Sequence, residues 1–350
     1  MEAPRIRMPL VRCRRVPGSA PNPALARRRH GACRRKGLHT PRPVADRVRA
    51  SPYVAIFVAV TSVSWSSILI LWSDSSALTI ALYRLAIASA ILAPIALLHP
   101  SKPLRGIARR DALLMVLVGA VLAAHFAFWI TSLKVEGVTV ASSTILVTSH
   151  PLLVGLLSHF ALKERLTAKT AAGIAVGFSG VVGIALVDAG IGSATLAGDA
   201  FAFLGGVTAG FYFLLGRKIR QHVPLLGYAL VVYASATGFL ALFALGLGAD
   251  FVPQGDVSRE LVLFLAMALI PQIGGHTLYN WALRYVGAPV VNLSLVGEPI
   301  GSSLLAWAFV AQAPSPGVAA GGAIALLGIY LAASGEGLQA RTAEASRDVE

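Results

Sequence analysis

The sequence predicts an all-helical integral membrane protein, with ten transmembrane helices arranged as two inverted five-helix repeats and both termini in the cytoplasm. Three observations lead there. The 350 residues are 56% hydrophobic and 13% charged, with a mean hydropathy of +0.71, and soluble domains carry about twice that charge fraction. From residue 52 onward, apolar runs about as long as the roughly 20 residues that cross a bilayer follow one another with short connections. Finally, much of the stretch Ser132–Ala185 recurs 148 residues downstream.

The recurrence is specific in its positions. At that one shift Pro151 falls on Pro299, Leu156-Leu157 on Leu304-Leu305, and Ala171-Ala172-Gly173 on Ala319-Ala320-Gly321. Ala175 then meets Ala323, Gly180 meets Gly328 and Ala185 meets Ala333. Ala and Gly matches are common in apolar sequence. Nine matches at one shift, including the two mid-run prolines, nevertheless mark an internal repeat. Five spans per repeat is an odd number, so the second copy enters the membrane from the opposite side. Inverted repeats of this kind are common in secondary transporters, whose substrate site lies near the midplane between the halves.

Residues 1–50 form a basic N-terminal tail. It holds fourteen Lys or Arg against Glu2 and Asp46, so most of the net charge of +14 resides there. Four readings stand: a disordered cytoplasmic tail that helps set orientation, a patch for anionic lipid or nucleic acid, an organellar transit peptide, or a translation start nearer Val44. The first and last are the simplest, and no nucleic-acid partner is expected. Cys13 and Cys33 both lie in this tail, so no disulfide framework or zinc cluster supports the fold.

The ten expected spans are 52–73, 77–98, 112–132, 139–161, 169–187, 199–216, 225–248, 261–283, 288–310 and 316–334. The first repeat occupies 51–188 and the second 189–335, and 336–350 form a cytoplasmic C-terminal tail. Orientation follows from the basic residues. Lys102, Arg105, Arg109, Arg110, Lys163, Arg165, Lys169, Arg217, Lys218, Arg220, Arg284, Arg341 and Arg347 fall on the side of the N-terminus, and only Lys134 and Arg259 fall opposite. Under the positive-inside rule this predicts a multi-pass protein of the plasma (inner) membrane with cytoplasmic termini.

With these features in place, the sequence resembles the EamA family of the drug/metabolite transporter superfamily over about residues 52–335. The first copy has Ala81-Leu82-Tyr83-Arg84, Ser132-Leu133-Lys134, Pro151, Glu164-Arg165-Leu166, Gly173 and Gly180. The second has Ala282-Leu283-Arg284, Glu298-Pro299, Gly321 and Gly328. The resemblance implies a ten-helix basket around a central cavity, moving small metabolites such as amino acids, without a cofactor. There are departures. Gln312 stands where the first copy has Glu164, and the first span has no carboxylate, which argues against cation exchange of the small-multidrug-resistance type. No Lys lies inside a span, which argues against a phosphate-clamping basic pair.

Polar groups inside hydrocarbon are costly and default to functional hypotheses. Glu298 precedes Pro299 in the ninth span, and the repeat places His150 before Pro151 at the equivalent point. Each proline removes a helical hydrogen bond and frees the carbonyl of Val147 or Leu295. The alternative for Glu298 is a kink element with its carboxyl satisfied by Asn292 or Arg84. For His150 it is a hydrogen-bonded packing histidine. Arg84 is either a counter-ion to substrate or Glu298, or a snorkelling topology residue. His125 and His276 occupy roughly related positions, and Gln272, His276 and Tyr279 share one helical face. Trp65, Tyr212 and Tyr83 are candidates for aromatic walls, whereas Trp72, Trp129, Trp281 and Trp307 suit interface anchors.

A secondary transporter of small organic solutes such as amino acids is therefore expected. It would work by alternating access, in the direction of efflux, with protons as a candidate coupling ion and a homodimer as one possible assembly. The other classes are a polytopic membrane enzyme and a non-transporting scaffold subunit. No zinc-binding His-Glu-x-x-His, Gly-x-Ser-x-Gly elbow or paired-Asp site supports an enzyme, and no metal site is expected.

Overall fold

The computed structural model describes residues 51–153, 156, 167–282, 285 and 294–347, with side chains as far as residue 335. Among these residues there are helices and no strands. The first span is α1 (Pro52–Ser64) followed by α2 (Ser66–Trp72), with a break at Trp65 where the sequence predicts one continuous helix. Pro52 opens it at a position where a missing N–H costs nothing. Then come α3 (Ala77–Leu98), α4 (Arg109–Lys134) and α5 (Val140–Val147). A capping box starts α5, in which Thr139 and Ser142 each satisfy the other's backbone N–H. Beyond a turn at 148–149, helix resumes at His150-Pro151.

The second half of the described chain follows the same rhythm. It comprises α6 (Ala168–Ala189), α7 (Ser193–Arg220), α8 (Leu225–Gly246) and α9 (Val257–Met267). Residues Ala268–Thr277 form a π-helical segment that leads into α10 (Leu278–Ala282). Pro271 lies within this segment, where it cannot donate a helical hydrogen bond. Such wide turns recur at functional sites. The chain closes with α11 (Gly297–Val310) and α12 (Pro316–Arg347).

Eight helices among the described residues are long and apolar enough to cross a membrane, and they coincide with eight of the ten expected spans. The expected spans 139–161 and 288–310 fall partly outside the described residues, which retain Val140–Leu153 and Gly297–Val310 of them. The turn Lys163-Glu164-Arg165 also lies outside, as do Leu157, Leu166, Leu283, Arg284, Asn292 and the basic tail. The last helix continues past the expected boundary at 335, because the segment to Arg347 keeps helical geometry.

The packing carries the mark of the repeat. α6 lies along α12 and α3 along α8, while α4 packs on α7 as α1 packs on the π-helical segment. In the first of these pairs the glycines interlock. An added Cβ at Gly173 would lie 2.8 Å from Gly328 O, and one at Gly180 would lie 2.5 Å from Gly321 O. Gly321 and Gly328 are the repeat equivalents of Gly173 and Gly180, so the two contacts exchange when the halves exchange. Helices related by the shift also run antiparallel. Gly173 faces Ala332 while Gly180 faces Ala325. The start of α3 meets the end of α8 through Thr79 Oγ1 donating to Asp250 O at 2.7 Å. Likewise, the start of α5 meets the end of α11, where Val140 N–H donates to Gln312 Oε1 at 2.8 Å. Gln312, a departure in the family pattern, therefore satisfies an orphan helix N-terminus.

The loops gather into two ends. At one, Glu260 is buried and accepts from the Ser73 hydroxyl, from Ser75 Oγ at 2.7 Å and from Asp74 N–H at 2.8 Å. Arg259 pairs with Asp74 at 3.1 Å beside it, and Lys134 donates to Ser73 O. At the other end Asp111 pairs with His222 at 3.1 Å. Between the ends, exposed Phe57, Leu98, Leu186, Leu245 and Trp307 cover the outside of the bundle, as a surface solvated by lipid requires.

Candidate functional site

Where the halves meet, a cavity of ≈ 30 Å³ is enclosed by α1, α4, α7, the proline-broken ends of α5 and α11, and the π-helical segment with α10. That volume holds about a water or two. Of the residues singled out from sequence, His125, His150, Tyr212, His276, Tyr279 and Glu298 line it together. Trp129, Phe213, Thr148 and four small or aliphatic residues complete the wall.

Close helix contact builds this wall. A Cβ at Gly205 would sit 3.1 Å from Trp129 Cβ, so its absence lets α4 and α7 approach. His125 Nδ1 thereby reaches Gly205 O at 2.8 Å. The His125 ring stacks on Trp129, with centroids 6.0 Å apart and planes 13° apart, and meets His276 edge-on at 6.3 Å. His150 stacks on Phe213 at 5.3 Å and 18°. Asn280 Nδ2 donates to Tyr212 Oη at 2.7 Å and to His276 O at 2.8 Å, which ties the two walls together.

Val147 and Leu295, whose carbonyls the prolines free, both line the cavity, and each carbonyl has a local partner. Val147 O lies 3.2 Å from His150 Nδ1, and Leu295 O accepts from Glu298 N–H at 3.1 Å. In both repeats the residue before proline thus closes the loosened turn upon itself, because a buried carbonyl takes the nearest donor.

Arg84 does not snorkel. It is fully buried, donating Nε–H to Gln272 Oε1 at 2.8 Å and Nη1–H to Ser66 Oγ at 2.7 Å. Its guanidinium carbon lies 4.3 Å from the Phe126 ring centroid, a cation–π arrangement. Phe126 in turn sits 5.3 Å from His276, so Arg84 lies behind the cavity wall. It makes no ion pair with Glu298; the two ion pairs among the described residues involve other groups. Gln272 belongs to this layer rather than to the cavity lining, because the π-helical turns set it apart from His276 and Tyr279.

The duplication that the packing implies is also found by comparison with known proteins. The model of the EamA-like transporter family matches twice, over residues 51–186 and 196–334. The chain belongs to the EamA-like transporter family. It is similar to an uncharacterized transporter, YetK, of Bacillus subtilis (strain 168), at 29% identity over 176 residues, which is 49% of this chain and 53% of that protein. The match thus spans about half the length of that relative. An uncharacterized transporter of Archaeoglobus fulgidus is 26% identical over 214 residues, 59% of this chain and 70% of that one. A solved crystal structure shares the fold with a TM-score of 0.57 at 22% identity, covering 80% of this chain and 96% of its own.

In this member of the EamA-like transporter family several aromatic residues exchange the roles expected from sequence. Trp65 faces Phe309 at 5.0 Å and stands outside the cavity lining, since the helix break at Trp65 turns it toward α11. Tyr83 stacks on Phe264 at 4.9 Å and is likewise outside. Trp129 is 3% exposed and lines the cavity instead of anchoring an interface, whereas Trp307 is 63% exposed, as an anchor should be. Arg220, counted above as a topology charge, is 2% exposed and donates to Asn280 O at 3.2 Å. Phe126, Trp129, Phe213 and Tyr233 were not singled out as site residues. A helical-wheel reading of α4 finds Trp129 four residues from His125, the one available hint.

The Arg84 layer makes a testable demand. Tyr233 Oη and Thr277 Oγ1 lie 3.0 Å apart, and Thr277 Oγ1 donates to Gln272 O at 3.2 Å. Gln272→Leu leaves a buried guanidinium N–H without its acceptor, at a cost of about 2–3 kcal/mol. A lowered midpoint of thermal unfolding in detergent is expected, and an unchanged midpoint would show that Arg84 finds its partners elsewhere.

Proposed function

We propose that this protein is a secondary transporter of small organic solutes, such as amino acids and related metabolites, working by alternating access in the direction of efflux. The observation that carries the reading is the cavity itself. It lies between the two family-matched segments, at the equivalent proline breaks, and Glu298 is the only carboxylate among its described lining residues. Antiparallel pairing of shift-related helices supports an inverted repeat of ten spans in two units, 51–188 and 189–335. Rocking of such halves exposes a shared site alternately to the two sides of the membrane. Glu298 and His150 are the groups proposed to respond to protons or substrate.

The decisive test is flux in proteoliposomes. Purified protein is expected to accelerate counterflow of a labelled solute from a metabolite panel; no movement of any solute would favour the scaffold reading. The proposed orientation has its own check. In a chain with Cys13 and Cys33 replaced by Ser, an impermeant maleimide applied to intact cells should label Gln254→Cys and spare Arg105→Cys. Both positions are exposed, at opposite ends of the bundle. Labelling only of the second would reverse the assignment of both termini to the cytoplasm.

A further inference from the structure

The hydrogen-bonding character of the cavity narrows the solute class; this step rests on the transport reading above and deepens it. A backbone carbonyl can only accept, so a ring nitrogen that meets one in an uncharged imidazole carries the proton. His125 Nδ1 meets Gly205 O at 2.8 Å and His150 Nδ1 meets Val147 O at 3.2 Å. Both rings therefore hold their proton on Nδ1 and keep Nε2 as an acceptor. Nε2 of His150 is buried and has no hydrogen-bond partner. Glu298 adds a carboxylate to the same wall.

The donors there are uncharged ones: Trp129 Nε1 and Tyr279 Oη are buried in the wall without hydrogen-bond partners. Thr148 Oγ1 donates away from the cavity to Thr144 O at 2.7 Å. No Lys or Arg is among the described lining residues, and Arg84 is behind Phe126, with Nε and Nη1 bonded and Nη2 buried without a partner. The remaining surface consists of His276, Trp129, Phe213, Tyr212, Tyr279 and aliphatic side chains. Such a wall favours a positive charge near aromatic faces and offers a carboxylate on the solute no counter-ion among the described lining residues.

We infer that the site, once the rocking halves widen the ≈ 30 Å³ cavity, recognises small organic amines in their ammonium form, with an apolar or aromatic body. The ammonium hydrogens go to Glu298 and to Nε2 of His125 and His150, and the body goes to the Trp129–Phe213 side. Within the small organic solutes of that reading, such amines are preferred over free amino acids, because no cation among the described lining residues takes a carboxylate.

Three matched probes test this: phenethylamine, phenylalanine and phenylacetate share a phenyl body and differ in head group. Binding to the detergent-purified full chain is read by quenching of Trp fluorescence, and flux is read separately in proteoliposomes. Phenethylamine should bind at least tenfold more tightly than the other two, and His150→Asn should weaken it severalfold while leaving size-exclusion behaviour unchanged. Glu298→Asp should retain part of the preference that Glu298→Gln loses. Binding of phenylacetate or phenylalanine in preference, or of none of the three, would overturn the amine assignment. Phenethylamine that binds selectively but does not move would instead overturn the transport reading and leave the amine site standing. Movement of the two carboxylates alone would do the reverse.

Discussion

Glu298→Gln is expected to lower solute flux roughly 100-fold, the factor corresponding to about 3 kcal/mol of lost charge-assisted interaction. The side chain is the one carboxylate among the described residues of the cavity wall. Glutamine preserves its shape but neither carries the charge nor exchanges the proton. The fold should be indifferent to the change. Among the described residues, the hydrogen bonds of Glu298 are made by its backbone atoms, its N–H to Leu295 O and its carbonyl accepting from Ser64 Oγ at 3.4 Å. Membrane insertion and a monodisperse elution profile should therefore survive. Flux measured across an imposed pH gradient decides the matter: undiminished flux that still follows the gradient would remove Glu298 from the proposed coupling site.

The second large effect concerns stability. Gly328→Ala should cost about 3 kcal/mol or more, the upper range for overpacking. A Cβ at Gly328 would fall 2.1 Å from Gly177 N and 2.2 Å from Gly177 Cα. Backbone cannot rotate out of the way as a side chain can, so α6 and α12 must separate. In lipid no hydrophobic force presses helices together, and close packing of small residues holds them instead. Gly183→Ala, on the partner helix α6, is the internal control, because its nearest contact beyond the helix is 3.9 Å away. Thermal unfolding in detergent should show a marked fall for the first substitution and almost none for the second. Equal midpoints would mean that the interface is looser than described.

How much of this was legible beforehand differs from residue to residue. His150 and Glu298 could be paired from the 148-residue shift, and the structure lines one cavity with both. His125 and His276, linked only by roughly related positions, lie with ring centroids 6.3 Å apart. The fate of Arg84 was not legible. A lone arginine in a span reads equally as counter-ion or snorkelling group, and the choice depended on Ser66, Gln272 and Phe126, which come from three other segments of the chain. Trp65 and Trp129 exchanged roles for a similar reason. The helix break turns Trp65 toward α11, whereas Trp129 sits on an unbroken helix whose close approach to α7 at Gly205 puts it in the cavity wall; neither can be read from apolar composition.

The sequence by itself determined the class of this protein: a chain of membrane-length apolar helices, duplicated, with basic residues biased to one side. Those properties are additive along the chain, since transfer into lipid depends on each segment's own composition and length. Tertiary structure alone decided which polar groups share the cavity, which way the imidazoles face and that Arg84 stands behind Phe126. These depend on helix rotation and approach, which glycine contacts such as Gly173 with Gly328 set to within an ångström. The Glu298-Pro299 and His150-Pro151 breaks were visible as sequence. That their carbonyls turn back to local donors, leaving imidazole nitrogens and a carboxylate as the acceptors of the site, required the folded chain.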